Sequence, residues 1–292
     1  MELDPLLHVF YEKDREIDFI EQSTELDAVK FEHFALHKAR CDLEPYVYNY
    51  LESNYGNQLT EFWKTHQFPE ISMYAWVIVE RRCHPNWWFV LRNIAWAGPH
   101  MSLYIFCSDE NIEFLKSLLG EKAANVHLLP VFRGFATRDE GVHQMCKLMT
   151  HPEFYKLINA EYILTFQTDC FFRKKVPQGV FVGDYYGAPW GWSPEEMGGG
   201  GVTVRNVQRM IELCSKEPLP EGIAEDGWIS GLVKKYGGNV PSDQIRFNAF
   251  CENFLSPDPI GVHQFWTFLH NFKMDEPEKF KQNIENILKL DI

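Results

Sequence analysis

Four short stretches of the chain carry residues able to do chemistry: Gln167-Thr168-Asp169, the four glycines at 198–201, Glu225-Asp226 and Gly261-Val262-His263. Asp169 poses the sharpest question, because it interrupts the apolar run YILTFQTDCFF (162–172). A carboxylate at the end of a buried strand is desolvated at a cost unless a hydrogen-bond partner, a metal ion or a turn back to water compensates it. The other features each have an ordinary reading too. An acid at a helix start caps the helix, four glycines can form a plain loop, and a histidine near a tryptophan can simply pack. Glu80, Arg81 and Arg82 close another apolar run, YAWVIVE (74–80), while Trp190 and Trp192 stand just ahead of the glycines.

The elements that must position these residues follow from the patterning. From residue 74 short apolar runs alternate with helical segments: strand YAWVIVE, helix 84–98, strand MSLYIFCS (101–108), helix 108–120, strand NVHLLPV (125–131) and strand EYILTFQTD. Ser108 or Asp109 would cap the second helix and Gly120 would stop it. Thr137 and Glu140 fit a capping box that opens a further helix. Strands separated by helices predict a mostly parallel sheet with crossover helices. In such sheets ligands bind beyond the carboxyl ends of the strands, where Glu80 and Asp169 both fall. Asp169 is therefore expected on the rim of a cleft.

Past residue 170 the chain is richer in Gly, Pro and Trp, with a strand, an aromatic loop, the glycine loop and two helices, VQRMIELCSK and EDGWISGLVKKYGG. Ile229, Leu232, Val233 and Tyr236 give the second of these an apolar stripe. A C-terminal amphipathic helix is predicted on Phe280, Ile284, Ile287 and Leu288. Residues 1–70 form an acidic helical extension, with Phe31, Phe34, Leu36, Tyr46, Tyr50 and Leu51 at helical spacing around an interruption at Pro45, and residues 71–292 form the main domain.

Charge and cysteine usage narrow the function classes. The net charge of −13 argues against nucleic acid, which requires basic grooves. Residues 1–70 hold 15 Asp/Glu against 6 Lys/Arg, so the remainder is close to neutral and can still accept an anionic small ligand through local arginines. Seven scattered cysteines without a CxxC pair fit reduced thiols of a cytoplasmic protein. The acidic opening MELDPLLHVFYEKDREID does not read as a signal peptide, and no apolar run approaches the ~20 residues of a membrane span.

In this order the features resemble the GT-A glycosyltransferases, which use a nucleotide-sugar donor. That family carries a metal-binding D-x-D after a strand, a glycine loop, an x-E-D at a helix start and a C-terminal metal-binding His. The strings VIVERRCHP, FVLRN, LTFQTD, YYGAPW, GGGGVTVRN and ED resemble more closely still a poorly characterised glycosyltransferase-like family, over about residues 74–266. The resemblance implies a GT-A-like mixed sheet flanked by helices.

The same resemblance implies the roles. Asp169 and His263 would ligate Mn2+ or Mg2+, a hard cation that neutralises a departing nucleotide diphosphate. Gln167 stands where the family's first D-x-D acid stands, which removes one negative charge. Glu80 and Arg82 would contact the nucleotide, Arg82 by bidentate pairing with phosphate and Glu80 by accepting from base or ribose; a surface ion pair is the other reading. Gly199 and Gly200 would let backbone approach the donor. Trp190 and Trp192 would offer flat faces to the sugar, with core packing the alternative for Trp190. Asp226 would be the general base of an inverting transfer, Glu225 being its neighbouring alternative. A helix N-terminus favours the charged carboxylate, and a weak base suffices where the proton moves late. The expected activity is transfer from a UDP-sugar to a hydroxyl of a glycan or glycoconjugate. The rival readings are a non-catalytic carbohydrate- or protein-binding module, which Gln167 keeps open, and hydrolysis of the nucleotide-sugar.

Overall fold

The computed structural model describes residues 2–23, 41–134, 137–190, 196–256, 258–272 and 275–292. Phe31, Phe34, Leu36 and Trp192 lie outside them. The strands, in chain order, are β1 (Tyr74–Val79), β2 (Ser102–Ser108), β3 (His127–Phe132), β4 (Tyr162–Thr165), β5 (Cys170–Phe172), β6 (Tyr185–Ala188), β7 (Gly199–Asn206), β8 (Phe250–Cys251) and β9 (Gly261–His263). The helices are α1 (Leu3–Ser23), α2 (Glu44–Thr65), α3 (Trp87–Ala97), α4 (Ile112–Leu119), α5 (Arg138–Met149), α6 (Pro152–Lys156), α7 (Val207–Cys214), α8 (Glu225–Lys235), α9 (Asp243–Ala249) and α10 (Pro277–Leu288).

Six strands form one mixed sheet in the order β3-β2-β1-β4-β7-β6. The first four are parallel, joined by crossover helices, while β7 pairs antiparallel with both β4 and β6. The expected sheet flanked by helices is therefore present. Alternate residues of β1 explain its uninterrupted apolar run, because a strand covered on both faces has no polar side. Trp76 and Ile78 face one core, Ala75 and Val77 the other. A small second sheet, in the order β5-β9-β8, lies beyond β4 in the chain.

The acidic N-terminal segment contributes to the first of these cores. Leu6, Leu7 and Phe10 of α1, and Val47, Leu51, Leu59 and Trp63 of α2, pack in one cluster with Trp76, Phe172 and Phe265. Pro45 occupies the first turn of α2, where its missing N–H costs nothing. Phe280, Ile284, Ile287 and Leu288 of α10 are buried in the same cluster, as the sequence predicts.

Two local expectations need revision. The glycine run is not a loop: Gly199, Gly200 and Gly201 begin β7, after Gly198 has turned the chain at φ +94°. Glycine is poor in strands in general, but here β6 and β7 approach too closely for side chains. A Cβ on Gly187 would lie 2.0 Å from the Gly199 carbonyl oxygen. Helix α4 starts after Asn111 rather than at Ser108 or Asp109. Asn111 Oδ1 instead accepts the Ser108 backbone N–H, closing a tight turn. Gly120 ends α4 at φ +57°, and the capping box of Thr137 and Glu140 is formed. Among the described residues no helix is long and apolar enough to cross a membrane.

Candidate functional site

The parallel order reverses between β1 and β4, the strands that carry Glu80 and Gln167-Thr168-Asp169 at their C-terminal ends. Such a switch point leaves a crevice, because the crossovers on either side depart in opposite directions. Thr168 bridges it by donating from Oγ1 to Glu80 Oε2 at 3.3 Å. The next residues enter β5, which pairs antiparallel with β9 so that Cys170 faces His263. That register brings together Asp169 and His263, which are far apart in the sequence. Asp169 Oδ1 stands 3.3 Å from His263 Nε2, and Glu252 Oε1 stands 3.2 Å from His263 Nδ1. His263 is 4% exposed and Asp169 24%, so the pair reaches water through the carboxylate.

The glycine run is moulded onto these groups. A Cβ at Gly201 would fall 2.1–2.3 Å from three atoms of the His263 ring. One at Gly199 would meet Glu252 Oε2 at 2.7 Å and Trp190 Nε1 at 3.0 Å, and one at Gly200 would meet Glu225 Oε2 at 3.0 Å. Three consecutive glycines thus make room for one acid, one histidine and the start of α8. The Gly200 N–H donates to Asp226 Oδ2 at 3.1 Å, while Asp226 Oδ1 accepts from the Gly227 N–H at 2.7 Å.

Of the two acids at the start of α8, only Asp226 stays partly open to solvent. Glu225 is buried and its Oε1 accepts from Arg205 Nη1 at 2.5 Å. Arg205 is fully buried, and it also donates to Tyr155 Oη and Thr203 Oγ1. Burial raises the Glu225 carboxyl above its usual range, against the opposing pull of Arg205. This ion pair anchors α8 beneath Gly200 and occupies Glu225.

The opposite rim is built by the turn after β1 and by α2. Arg82 pairs with Glu80 through two side-chain hydrogen bonds, 2.9 Å from Nε to Oε1 and 2.6 Å from Nη2 to Oε2. Asn111 holds this turn, donating from Nδ2 to the carbonyls of Glu80 and Arg82. The Arg82 side chain is 66% exposed, so its guanidinium presents a face to solvent. Asn86 donates from Nδ2 to Glu44 Oε1 and to the Thr168 carbonyl, tying α2 to the Asp169 turn. One helical turn on, Tyr48 donates to the Cys170 carbonyl at 2.9 Å. Glu44 Oε1 also lies 3.5 Å from His84 Nε2. Burial, and then the charge of Asp169, push the Glu44 carboxyl up to about 7.

Whether a metal suits this site can be judged from its atoms. Asp169 Oδ1 and both ring nitrogens of His263 are buried without a hydrogen-bond partner, their mutual contacts being close but out of line. Burial disfavours charge on both residues, yet their mutual attraction prevails. Asp169 is held below its usual range, and the imidazolium of His263 is pushed up to about 10 by Asp169 and Glu252. Ligand atoms of Asp169, His263 and Cys170 lie within 4.8 Å of one another. Burial and the charge of Asp169 push the Cys170 thiol well above its ordinary value, and its Sγ donates to the Gly201 carbonyl. Cys170 is thus a packed thiol, whereas carboxylate oxygen and imidazole nitrogen form a donor set that fits a hard divalent cation. The side chain of Gln167 makes no hydrogen bond among the described residues.

A family described as "Protein of unknown function (DUF5672)" matches residues 135–263, a stretch that holds Asp169, the glycine run, Asp226, Glu252 and His263. No curated protein sequence matches the chain. Among solved structures, mouse xyloside xylosyltransferase 1 is similar at 12% identity and a TM-score of 0.36, over 70% of this chain and 83% of that one. The glycosyltransferase GlyE of Streptococcus pneumoniae TIGR4 is similar at 12% identity and a TM-score of 0.42, over 75% of this chain; the chain spans 64% of GlyE.

The structure brings Asp169 and His263 together and sets Gly199 and Trp190 beside Glu252; it joins Asp226 to Gly200 on the other face of β7, and it pairs Glu80 with Arg82 across the crevice. Sequence reasoning misses Glu44, His84, Asn86, Arg205 and Glu252. Glu252 follows the two-residue strand β8, too short to leave a periodic signal. Arg205 could have been suspected, since an arginine inside a strand of small and apolar residues requires a buried acid.

Proposed function

We propose that this chain is a GT-A-type glycosyltransferase that moves a sugar from a nucleotide-sugar, a UDP-sugar, to a hydroxyl of a glycan or glycoconjugate. The observation that carries this reading is the moulding of Gly199–Gly201 onto Glu252, Asp226 and His263, beside a buried and unpartnered Asp169 oxygen. Acid and imidazole meet at the carboxyl end of β4, and the glycine backbone of β7 links them to Asp226, which suits a compact charged group approached by a base.

The charge around that meeting point favours cation-assisted binding. Asp169, Glu252 and Glu44 stand around it, and the exposed Arg82 is already paired with Glu80. A bare diphosphate would be repelled by these carboxylates. Asp169 and His263 would hold Mn2+ or Mg2+, whose charge offsets that of the diphosphate as the bond to the sugar breaks. Glu80 and Arg82 flank the nucleotide, Gln167 offers a neutral carbonyl oxygen, and Trp190 and Trp192 offer aromatic faces to the sugar.

Asp226 is the base. Each of its oxygens accepts one backbone N–H and keeps a lone pair, so the carboxylate is fixed in direction while still able to take a proton. The acceptor hydroxyl attacks the anomeric carbon as Asp226 receives its proton and the nucleotide diphosphate leaves from the opposite face, which inverts the centre. Residues 71–292 form the transferase domain, with Glu44 of the N-terminal extension reaching its rim.

Release of UDP from a panel of nucleotide-sugars, with and without Mn2+ and acceptor, tests the proposal. Expected is release that needs both cation and acceptor and is lost in Asp169→Ala and Asp226→Ala. Turnover that survives both substitutions removes these assignments. Absence of both binding and turnover across the panel points to a non-catalytic binding module, and sustained release without acceptor to a hydrolase.

A further inference from the structure

His263 has two ring nitrogens, and a metal ligand must present one of them with a free lone pair. Which nitrogen does so is set by the hydrogen bond the other makes. Asp169 Oδ1 lies 3.3 Å from Nε2 and Glu252 Oε1 lies 3.2 Å from Nδ1, each close to its nitrogen though out of line for a hydrogen bond. Glu252 is nearly buried, at 10% side-chain exposure, and its second oxygen lies 2.7 Å from where a Cβ of Gly199 would sit. Its carboxylate has little room to move.

A second observation concerns Gln264, which among the described residues is the one non-glycine with positive φ, at +27°. A left-handed backbone is strained for such a residue and persists only where the surroundings enforce it. Here the Gln264 N–H donates to the Asp169 carbonyl at 3.1 Å, and its Nε2 reaches Glu252 Oε1 at 3.5 Å. The strained residue therefore links the backbone of one acid to the side chain of the other, with His263 between them.

We propose that Glu252 is the positioning residue of the cation site: with a cation bound, it accepts a hydrogen bond from His263 Nδ1–H, 3.2 Å away, and so turns the Nε2 lone pair towards Asp169. Gln264 clamps this Glu252–His263–Asp169 array. The inference rests on the cation-dependent reading above. It goes beyond that reading in giving Glu252 a role and in naming Nε2 as the ligand atom.

Calorimetric titration of the full chain with Mn2+, without donor, tests it. Glu252→Ala is expected to weaken Mn2+ binding about 10–100-fold, the usual effect of losing such a partner. Glu252→Gln keeps the shape and an acceptor oxygen but loses the charge, and is expected to weaken binding at least threefold; it decides the matter should the alanine variant fail to fold. In the Mg2+-loaded wild-type protein, 15N shifts of His263 should show a protonated Nδ1 and a bare Nε2. That signature would be unmoved by a merely structural acid and should become mixed in Glu252→Ala. Wild-type Mn2+ binding that stays within twofold in both variants, or a protonated Nε2, overturns the role of Glu252 alone. Failure of the wild-type chain to bind Mn2+ overturns the cation reading and this inference with it.

Discussion

Replacing Gly201 by alanine probes the site with a single methyl group. The added carbon would meet three atoms of the His263 ring at 2.1, 2.2 and 2.3 Å, where ordinary contact begins at 3.4 Å. Moving the nearest atom from 2.1 to 3.4 Å requires a shift of about 1.3 Å. The ring cannot give way freely, because Asp169 and Glu252 stand 3.3 and 3.2 Å from its two nitrogens. Overpacking of this kind costs roughly 1–3 kcal/mol, a fall in Tm of several degrees for a chain of this size. Metal–ligand distances tolerate only about 0.2 Å, so Mn2+ affinity should fall at least tenfold. Gly231 supplies the control: it is exposed on α8, a methyl group added there would have nothing within 4 Å, and alanine should stabilise by about 0.5–1 kcal/mol. Thermal unfolding and Mn2+ titration of both variants check the expectation. A Gly201→Ala protein with wild-type Tm and wild-type Mn2+ affinity would refute the moulding of β7 onto His263.

Three further expectations follow from the same geometry. Asp226→Asn keeps an acceptor for the Gly200 N–H but loses that for the exposed Gly227 N–H, so steady-state kinetics should show kcat lower by about 10²–10⁴-fold with donor KM nearly unchanged and Tm only slightly lowered. Arg205→Met strands the buried Glu225 carboxylate and should cost about 3–5 kcal/mol in urea unfolding, most of it recovered in Arg205→Met/Glu225→Leu. Glu44 titrates near 7 in the fold against an ordinary value of 4.5. The folded state therefore binds its proton more tightly, and the ionised group destabilises the fold. That penalty is absent below pH 4.5, grows up to pH 7 and is complete above it. Calorimetry of metal-free Glu44→Gln should accordingly show no gain at about pH 4.5 and a gain of up to ~3 kcal/mol at about pH 8.

The parallel half of the sheet was legible because each of its strands is a short apolar run bounded by a helix pattern, as YAWVIV and SLYIFCS are. Asp169, Asp226 and His263 were legible as candidates because each breaks a local pattern. The meeting of Asp169 with His263 was not, since it depends on β5 finding β9, a three-residue pairing between segments of unrelated sequence. The glycines read as a loop because propensity alone disfavours them in strands; the tertiary closeness of β6, Glu252 and His263 overrides it. Glu44 sat in an acidic helix among many acids, and nothing local distinguishes the one that Asn86 binds.

The attachment of α2 to the Asp169 turn also bears on how the protein is made. Tyr48 and Cys170 are 122 positions apart, and β9 supplies His263 later still. Chains emerge from synthesis N-terminus first, so the helix that steadies the turn is present long before the turn, and the turn before its histidine. No nascent fragment ending before residue 263 contains the assembled site. Cation binding would then mark molecules in which residues 44–48 and 261–263 have both docked, which makes it a measure of complete folding in any preparation of the protein.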